Sequence, residues 1–381
     1  MWEENVTQSR YNTDIKRNEV GGVMVLKIGI IGCGGIANNK HMPALKEVKE
    51  VEMVAFCDII EDRAIEAKAK YGTEESRVYT DYKELLNDDS IDVIHVCTPN
   101  ISHAEITIAS LEADKHVMCE KPMAKTAAEA EAMVEAAKRT GKKLTIGYQN
   151  RFRNDSLYLN EVCEDGELGE IYYAKAHAIR RCAVPTWGVF LDEEAQGGGP
   201  LIDIGTHALD LTLWMMNNYK PKYVVGNTYH KLGNMKNPAN SFGPWNPEEF
   251  VVEDSAFGFI TMENGATIVL ESSWALNIRE TGEAQVTLCG TEGGADMKDG
   301  LQFNAHEHGR LTVKKVGLGA DGVDFFDGAK DRPHVLEAKQ WIDAIVNDKE
   351  PLVKPEQALV VTQILEGIYE SAKTGKPVYF E

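Results

Sequence analysis

Short apolar runs rich in valine and isoleucine recur through the first part of the chain, at residues 26–31, 51–58, 91–97, 115–119 and 144–147, with helix-length segments between them. Runs of this length without a polar face are what strands covered on both sides require, and their alternation with helical segments predicts parallel βαβ units. Beyond residue 170 the pattern changes to alternating apolar and polar positions, at 170–179, 223–229, 253–262, 267–275 and 283–289. That period belongs to strands with one buried face, and Asn264-Gly265 between two of them reads as a hairpin turn. Helical spacing returns at 333–346, through Val335, Leu336, Trp341, Ile342 and Ile345, and at 355–373, through Ala358, Val361, Ile364, Leu365 and Ile368. The chain thus divides into a polar extension (1–25), an α/β domain (26–147) and a sheet domain (148–381), whose last helices, about 333–373, are expected to pack back on the first domain.

The first apolar run is followed directly by Gly32-Cys33-Gly34-Gly35-Ile36-Ala37, a G-x-G-x-x-A pattern between a predicted strand and a predicted helix. In that context Gly32 permits the tight turn and Gly34 lets a pyrophosphate meet bare backbone. The helix N-terminus then presents unpaired N–H groups to the phosphates. The second run ends in Asp58, placed to accept hydrogen bonds from the adenosine ribose diol. A carboxylate there repels a 2′-phosphate, so NAD is favoured over NADP, with Arg63 nearby as the feature that keeps NADP open. Ligands of such sheets sit beyond the carboxyl ends of the strands, so Thr98, Asn100 and Lys121 should line one crevice. Tyr148, Gln149, Asn150 and Arg151, at the end of the last run, are placed to touch nicotinamide or substrate.

A second signal lies at 197–210, where Gly-Gly-Gly-Pro runs into a helix carrying Asp203, His207 and Asp210 on one stripe. Asp203 and His207 stand four positions apart, so both emerge on one helical face. A carboxylate beside an imidazole orients the ring and holds its pKa near neutrality, as a proton-transfer pair needs. Oxidising a secondary alcohol removes a hydride from carbon and a proton from oxygen; His207 is the natural proton acceptor, and Lys121 can polarise the oxygen on which charge develops. Upstream, Arg180-Arg181 and Trp187 suit a carbohydrate, whose C–H faces stack on indole; Trp187 reads equally well as a core plug.

Taken together, the glycine turn, Thr98-Pro99-Asn100 with His103, Glu120-Lys121-Pro122 and the 197–210 segment resemble the Gfo/Idh/MocA family of sugar and inositol oxidoreductases, from about Leu26 to the C-terminus. The resemblance implies a Rossmann domain followed by an α+β domain with a large, mostly antiparallel open sheet, whose exposed face makes a homo-oligomer, a dimer or tetramer. It implies Lys121 near both nicotinamide and substrate, Asp203 on a substrate hydroxyl and His207 as acid/base. The cofactor set it suggests is Gly32, Cys33, Gly34, Gly35, Ile36, Asp58, Arg63, Thr98, Asn100, His103, Glu120, Lys121 and Asn150, with Tyr148, Arg151, Arg180 and Trp187 joining Asp203 and His207 around the substrate. The Arg-Arg and Pro-x-Trp-Gly pattern is similar to members acting on pyranoses and glycosides. The expected activity is NAD-dependent oxidation of a ring secondary hydroxyl, with C3 preferred on the resemblance alone. An inositol dehydrogenase, a redox-neutral NAD-dependent glycosidase or lyase, and a non-catalytic dinucleotide sensor are the alternatives.

Composition narrows the partners. Of 381 residues, 40 are Lys or Arg and 60 are Asp or Glu, a formal charge of -20 that disfavours nucleic acid and anionic membranes. No run reaches the length of a membrane span, and the polar N-terminus predicts no signal peptide, so a cytoplasmic enzyme is expected. The seven cysteines show no C-x-x-C and no zinc spacing, which fits a reducing compartment and no metal. His306-Glu307-His308 reads as a polar loop.

Overall fold

The computed structural model describes residues 25–235, 239–317 and 332–380, so the predicted extension at 1–25 lies outside them but for Val25. Six strands, β1 (Leu26–Ile31), β2 (Val51–Cys57), β3 (Arg77–Tyr79), β4 (Val93–Val96), β5 (His116–Cys119) and β6 (Leu144–Ile146), pair in parallel in the order β3-β2-β1-β4-β5-β6. The order reverses between β1 and β4, which opens a crevice beyond their carboxyl ends. Every residue of β4 is buried, His95 included, as a strand covered on both faces requires. Only β3, a short and half-exposed edge strand, left no mark in the sequence pattern.

Nine further strands make the second sheet: β7 (Ile171–Ile179), β8 (Pro221–Tyr229), β9 (Ser255–Met262), β10 (Thr267–Ser273), β11 (Gly282–Gly290), β12 (Gly294–Asp296), β13 (Gln302–Glu307), β14 (Arg310–Lys315) and β15 (Val378–Tyr379). Their order is β14-β13-β12-β11-β7-β10-β9-β8-β15, with β7 and β10 parallel and the other described pairs antiparallel. This is the α/β half followed by a large, mostly antiparallel sheet that the resemblance implied. The expected loop around His306 is instead the end of β13, with His308 in its hairpin turn at φ 50°. The β13–β14 ribbon packs little of either face on the core, so no alternation marks it in the sequence.

Four helices tie the halves together: α1 (Ala127–Thr140), α2 (Thr206–Met216), α3 (Pro333–Val346) and α4 (Pro355–Thr374). A capping box between Thr126 and Glu129 starts α1, and Gly141 in the left-handed region ends it. Helix α3 buries Val335, Trp341 and Ile342 with Leu26, Ile28 and Ile30 of β1. Helix α4 lies on the second sheet, where Ile368 fits against Gly258 so closely that a Cβ there would stand 2.5 Å from its Cδ1. One apolar cluster runs from Val117 and Ile146 of the first half to Leu201, Ala208 and Leu270 of the second, so the two halves share a core.

At the centre of this packing, Arg151 departs from its expected role. Its side chain is fully buried and forks onto Asp210 of α2 through Nε at 2.9 Å and Nη2 at 2.6 Å, while Nη1 donates to Leu352 O and Gln357 Oε1. The guanidinium therefore joins the end of β6, α2 and α4 and has no face left for a substrate. The helical stripe set Asp210 beside Asp203 in sequence terms, but Asp210 serves this clamp. Removing one partner of a buried ion pair strands the other charge, so Asp210→Ala is expected to cost about 3–5 kcal/mol in urea unfolding. An Arg151→Met/Asp210→Leu double variant should recover most of that; a single-variant loss below about 1 kcal/mol would show that the pair carries no structural role.

Candidate active site

The crevice is built first by backbone. Gly32 turns at φ 91°, and a Cβ on it would lie 2.6 Å from Cys97 O, so only glycine closes this turn. Gly34 faces open space, leaving bare backbone for a pyrophosphate to approach, and Gly35 is exposed beside it. Asp58, at the end of β2, accepts from Cys33 N at 2.9 Å and Ile60 N at 2.9 Å, which fixes the carboxylate against the turn with lone pairs remaining. The Cys33 thiol is buried and turned toward Cys57 O, so this residue acts through its backbone. Arg63 is exposed on the following helix. Thr98 Oγ1, at the end of β4, is a buried hydroxyl without a protein partner among the described residues. These features fit a dinucleotide, whose pyrophosphate would lie along the glycine turn and whose adenosine ribose would meet Asp58.

Several residues predicted to touch cofactor or substrate are struts instead. His103 is buried with one ring nitrogen 2.8 Å from Pro122 O and the other 2.9 Å from Thr98 O, tying the two strand-end loops together. Asn100 spends its amide nitrogen on the Gln196 carbonyl and side chain, at 2.9 and 2.6 Å, and so joins the first half to the turn before the glycine loop. Tyr148 is fully buried; its hydroxyl pairs with Thr206 Oγ1 at 2.8 Å and its ring stands edge-on to His207, so it backs the imidazole rather than facing a ligand. Asn150 is half-buried in the 3-10 turn after β6.

The glycine loop at 197–200 is held by a residue that the sequence pattern did not reveal. Glu253 accepts from Gly199 N at 2.7 Å, Leu201 N at 3.1 Å and the Tyr369 hydroxyl at 2.8 Å, and a Cβ on Gly199 would stand 2.2 Å from Glu253 O. Residues Leu201–Gly205 then form a π-turn ahead of α2, where a regular α-helix was expected. A second π-turn, Ala37–His41, follows the dinucleotide turn. Such turns loosen the carbonyl ladder, and here Lys121 Nζ donates to Asp203 O at 3.0 Å as well as to Asp203 Oδ1 at 3.0 Å. The other carboxylate oxygen accepts from Trp274 Nε1 at 3.0 Å.

Lys121 of the first half and Asp203 of the second therefore meet directly across the cleft, with His207 one helical turn further on. Asp203 and His207, expected to act as a hydrogen-bonded pair, share no hydrogen bond: the carboxylate accepts instead from Lys121 and Trp274. His207 Nδ1 is buried with no partner among the described residues. Burial pushes the imidazole down to about 3, with Lys121 adding to the effect and Asp203 and Glu120 opposing it, so the ring is neutral rather than poised near 7. Burial alone would raise the Asp203 carboxyl, but Lys121, Arg180 and the indole hydrogen bond outweigh it and hold the group below its ordinary range. Glu120, also buried, is brought down to about 2 by the hydrogen bond from His41 at 2.7 Å and by Lys121. His41 and Trp274 are thus site residues that sequence reasoning missed; each lies far along the chain from its partner.

Near Asp203, Arg180 is held in a bidentate pair with Glu283, 2.7 Å for each bond, and Trp187 is 53% exposed, which excludes the core-plug reading. Among the described residues no group of His, Cys, Asp and Glu is arranged to hold a metal ion.

The depressed His207 group has a consequence for stability. The unfolded ring takes a proton near pH 6.5 and the folded one only near 3, so the stabilisation present above pH 6.5 is lost as pH falls toward 3. His116 and His334, both pushed down to about 4 by burial, act in the same direction. Urea midpoints measured from about pH 7 to pH 4 should fall, and His207→Gln should make that fall shallower; identical slopes would show that the ring is not held neutral.

Comparison with known proteins agrees with this architecture. Residues 26–148 match the family described as oxidoreductases with an NAD-binding Rossmann fold, and 161–380 match the C-terminal alpha/beta domain of the same family. The chain is 37% identical over 353 residues to the D-glucoside 3-dehydrogenase of Escherichia coli (strain K12), covering 93% of this chain and 97% of that protein. It is 33% identical over 199 residues to the inositol 2-dehydrogenase of Salmonella typhimurium, which spans 52% of this chain and 56% of that one. Among solved structures, an oxidoreductase domain protein from Kribbella flavida shares the fold with a TM-score of 0.82 at 24% identity, covering 94% of this chain and all of that one. A levoglucosan dehydrogenase in complex with NADH and levoglucosan does so with a TM-score of 0.78 at 22% identity, over 93% and 99% of the two chains. No helix among the described residues is long and apolar enough to cross a membrane. Crevice, sheet order and sequence matches over both halves converge: the chain belongs to the Gfo/Idh/MocA family of oxidoreductases.

Proposed function

We propose that this protein is a glucoside dehydrogenase that oxidises a ring hydroxyl, at C3, with NAD as the oxidant. The observation that carries the reading is the Lys121–Asp203 contact across the cleft, with a neutral, buried His207 beside it. The position on the ring rests on similarity to the E. coli D-glucoside 3-dehydrogenase over nearly the whole chain, whereas the inositol dehydrogenase match covers about half of it.

In the proposed reaction a nicotinamide cofactor, which the glycine turn and Asp58 would hold, would supply the hydride acceptor. The chain supplies the rest. Asp203, held by Lys121 and Trp274, orients the sugar by accepting from a hydroxyl. The Lys121 ammonium stands where negative charge develops on the reacting oxygen. His207 takes the hydroxyl proton; since Nδ1 is buried, Nε2 is the nitrogen left to meet it. Burial keeps the ring neutral, so it starts the step without a proton. Asp58, fixed against the glycine turn, favours a free ribose diol over a 2′-phosphate.

Methyl glucoside and NAD should give accumulating NADH and a 3-keto sugar identified by NMR; a glycoside cleaved without net reduced cofactor would favour the redox-neutral cycle. His207→Ala should lower kcat about 100-fold or more while NADH affinity stays within about threefold, and unaltered turnover would remove the assigned base. Asp58→Ala should weaken NAD more than NADP, measured as the ratio of the two kcat/KM values; an unchanged ratio would remove the ribose contact.

A further inference from the structure

Beside the cleft lies a pair of aromatic side chains held out toward solvent. Trp187 and Phe242 are 53% and 43% exposed and meet edge to face with ring centroids 4.9 Å apart. They sit on two segments without strand structure, and a cage of polar bonds centred on Asn240 latches those segments together. Asn240 accepts from Val184 N at 2.8 Å and donates to Val184 O at 2.9 Å and Gly243 O at 2.7 Å. Thr186 Oγ1 donates to Phe242 O at 2.7 Å, and both Ser241 N and Ser241 Oγ donate to Cys182 O, at 3.0 and 3.1 Å. Fixing loop backbone costs conformational entropy, and half-exposed aromatic rings return little of it to folding. Such a surface is prepared for something that arrives from outside.

Two routes connect the pair to the reacting centre. Trp187 contacts Phe190 at 5.9 Å between centroids, Phe190 contacts Trp274 at 6.3 Å, and Trp274 is hydrogen-bonded to Asp203. Arg180 lies over the Phe242 ring at 5.9 Å and close enough to Asp203 to stabilise its carboxylate. By the first route the platform is two ring contacts away from the proposed hydroxyl-binding carboxylate, and so is an aromatic surface distinct from the indole that holds Asp203. The Arg180–Glu283 pair next to Phe242 offers charged donors and acceptors alongside the aromatic faces. That combination of a flat apolar face with a polar edge matches a pyranose, whose C–H face stacks on indole and whose hydroxyls bind guanidinium and carboxylate.

We propose that Trp187 and Phe242 form a second subsite that stacks the ring attached through the anomeric oxygen, so that the preferred substrate is a glucosyl disaccharide or longer glycoside rather than a free monosaccharide. This rests on the glucoside reading above and names the group that the substrate carries on its anomeric oxygen.

The test compares methyl glucoside, a glucosyl disaccharide and phenyl glucoside as substrates with NAD, using the full chain and the Trp187→Ala, Trp187→Phe and Phe242→Ala variants. For Trp187→Ala the ratio of disaccharide KM to methyl glucoside KM should rise about 5- to 20-fold, the range expected for losing one ring-stacking contact, with Trp187→Phe restoring most of it. Phe242→Ala should move the ratio in the same direction. A ratio unchanged within about twofold in both alanine variants overturns the subsite. A change confined to phenyl glucoside overturns the pyranose assignment. Dissociation of an oligomer by Trp187→Ala, seen in sedimentation, with an unchanged ratio assigns the pair to a subunit contact and likewise overturns it. Should the unaltered enzyme oxidise none of the three, the glucoside reading fails, and calorimetric titration of the disaccharide with NADH present decides the subsite separately: binding lost in Trp187→Ala supports it, and no binding overturns it.

Discussion

A single ammonium–carboxylate contact organises the cleft. Lys121 follows strand β5 of the parallel sheet, Asp203 sits in the π-turn of the other half, and the 3.0 Å bond between them closes the space in which an alcohol and a nicotinamide would meet. Both groups are largely withdrawn from water, so the contact is screened little and fixes where each side chain points. The remaining polar struts keep the two loops that carry it in place. His103 joins the strand ends, Asn100 reaches Gln196, and Glu253 pins the glycine loop through its backbone amides.

Charge in the cleft alternates in sign from the first sheet to the second: Glu120, Lys121, Asp203, Arg180, Glu283. Each charged group is held by an opposite neighbour, which is how a buried site tolerates so many ions. His207 stands among them without its own counter-ion, and burial keeps it neutral. In the proposed reaction that is useful, since the proton acceptor begins empty and lies beside a cation suited to a developing alkoxide. The same arrangement makes the imidazolium costly, so the ring would pass its proton on rather than keep it.

The apolar framework explains why this geometry holds between halves that are far apart in sequence. One core cluster crosses from the parallel sheet into the mixed sheet, and α3 returns to cover β1 on its other side. Arg151 and Asp210, which look from their positions like ligands, serve this framework, as does Tyr148 behind His207. Polarity and a place at a strand end could not separate strut from ligand; burial could.

The sequence by itself carried the periods of strand and helix, the glycine turn with its acid, and the presence of Lys121, Asp203 and His207 at telling positions. These are legible because they depend on local rules: two-fold and 3.6-fold repeats, backbone space at glycine, and the chemistry of a few side chains. Strands such as β3, β13 and β14 escaped because segments that bury little of either face need no apolar pattern. Tertiary structure alone decided who pairs with whom: Asp203 with Lys121 and Trp274 rather than His207, Glu120 with His41, Arg151 with Asp210. Those choices, and the depressed imidazole that follows from them, depend on distances between residues remote along the chain and on how completely water is excluded, and neither quantity is written in any local stretch of sequence.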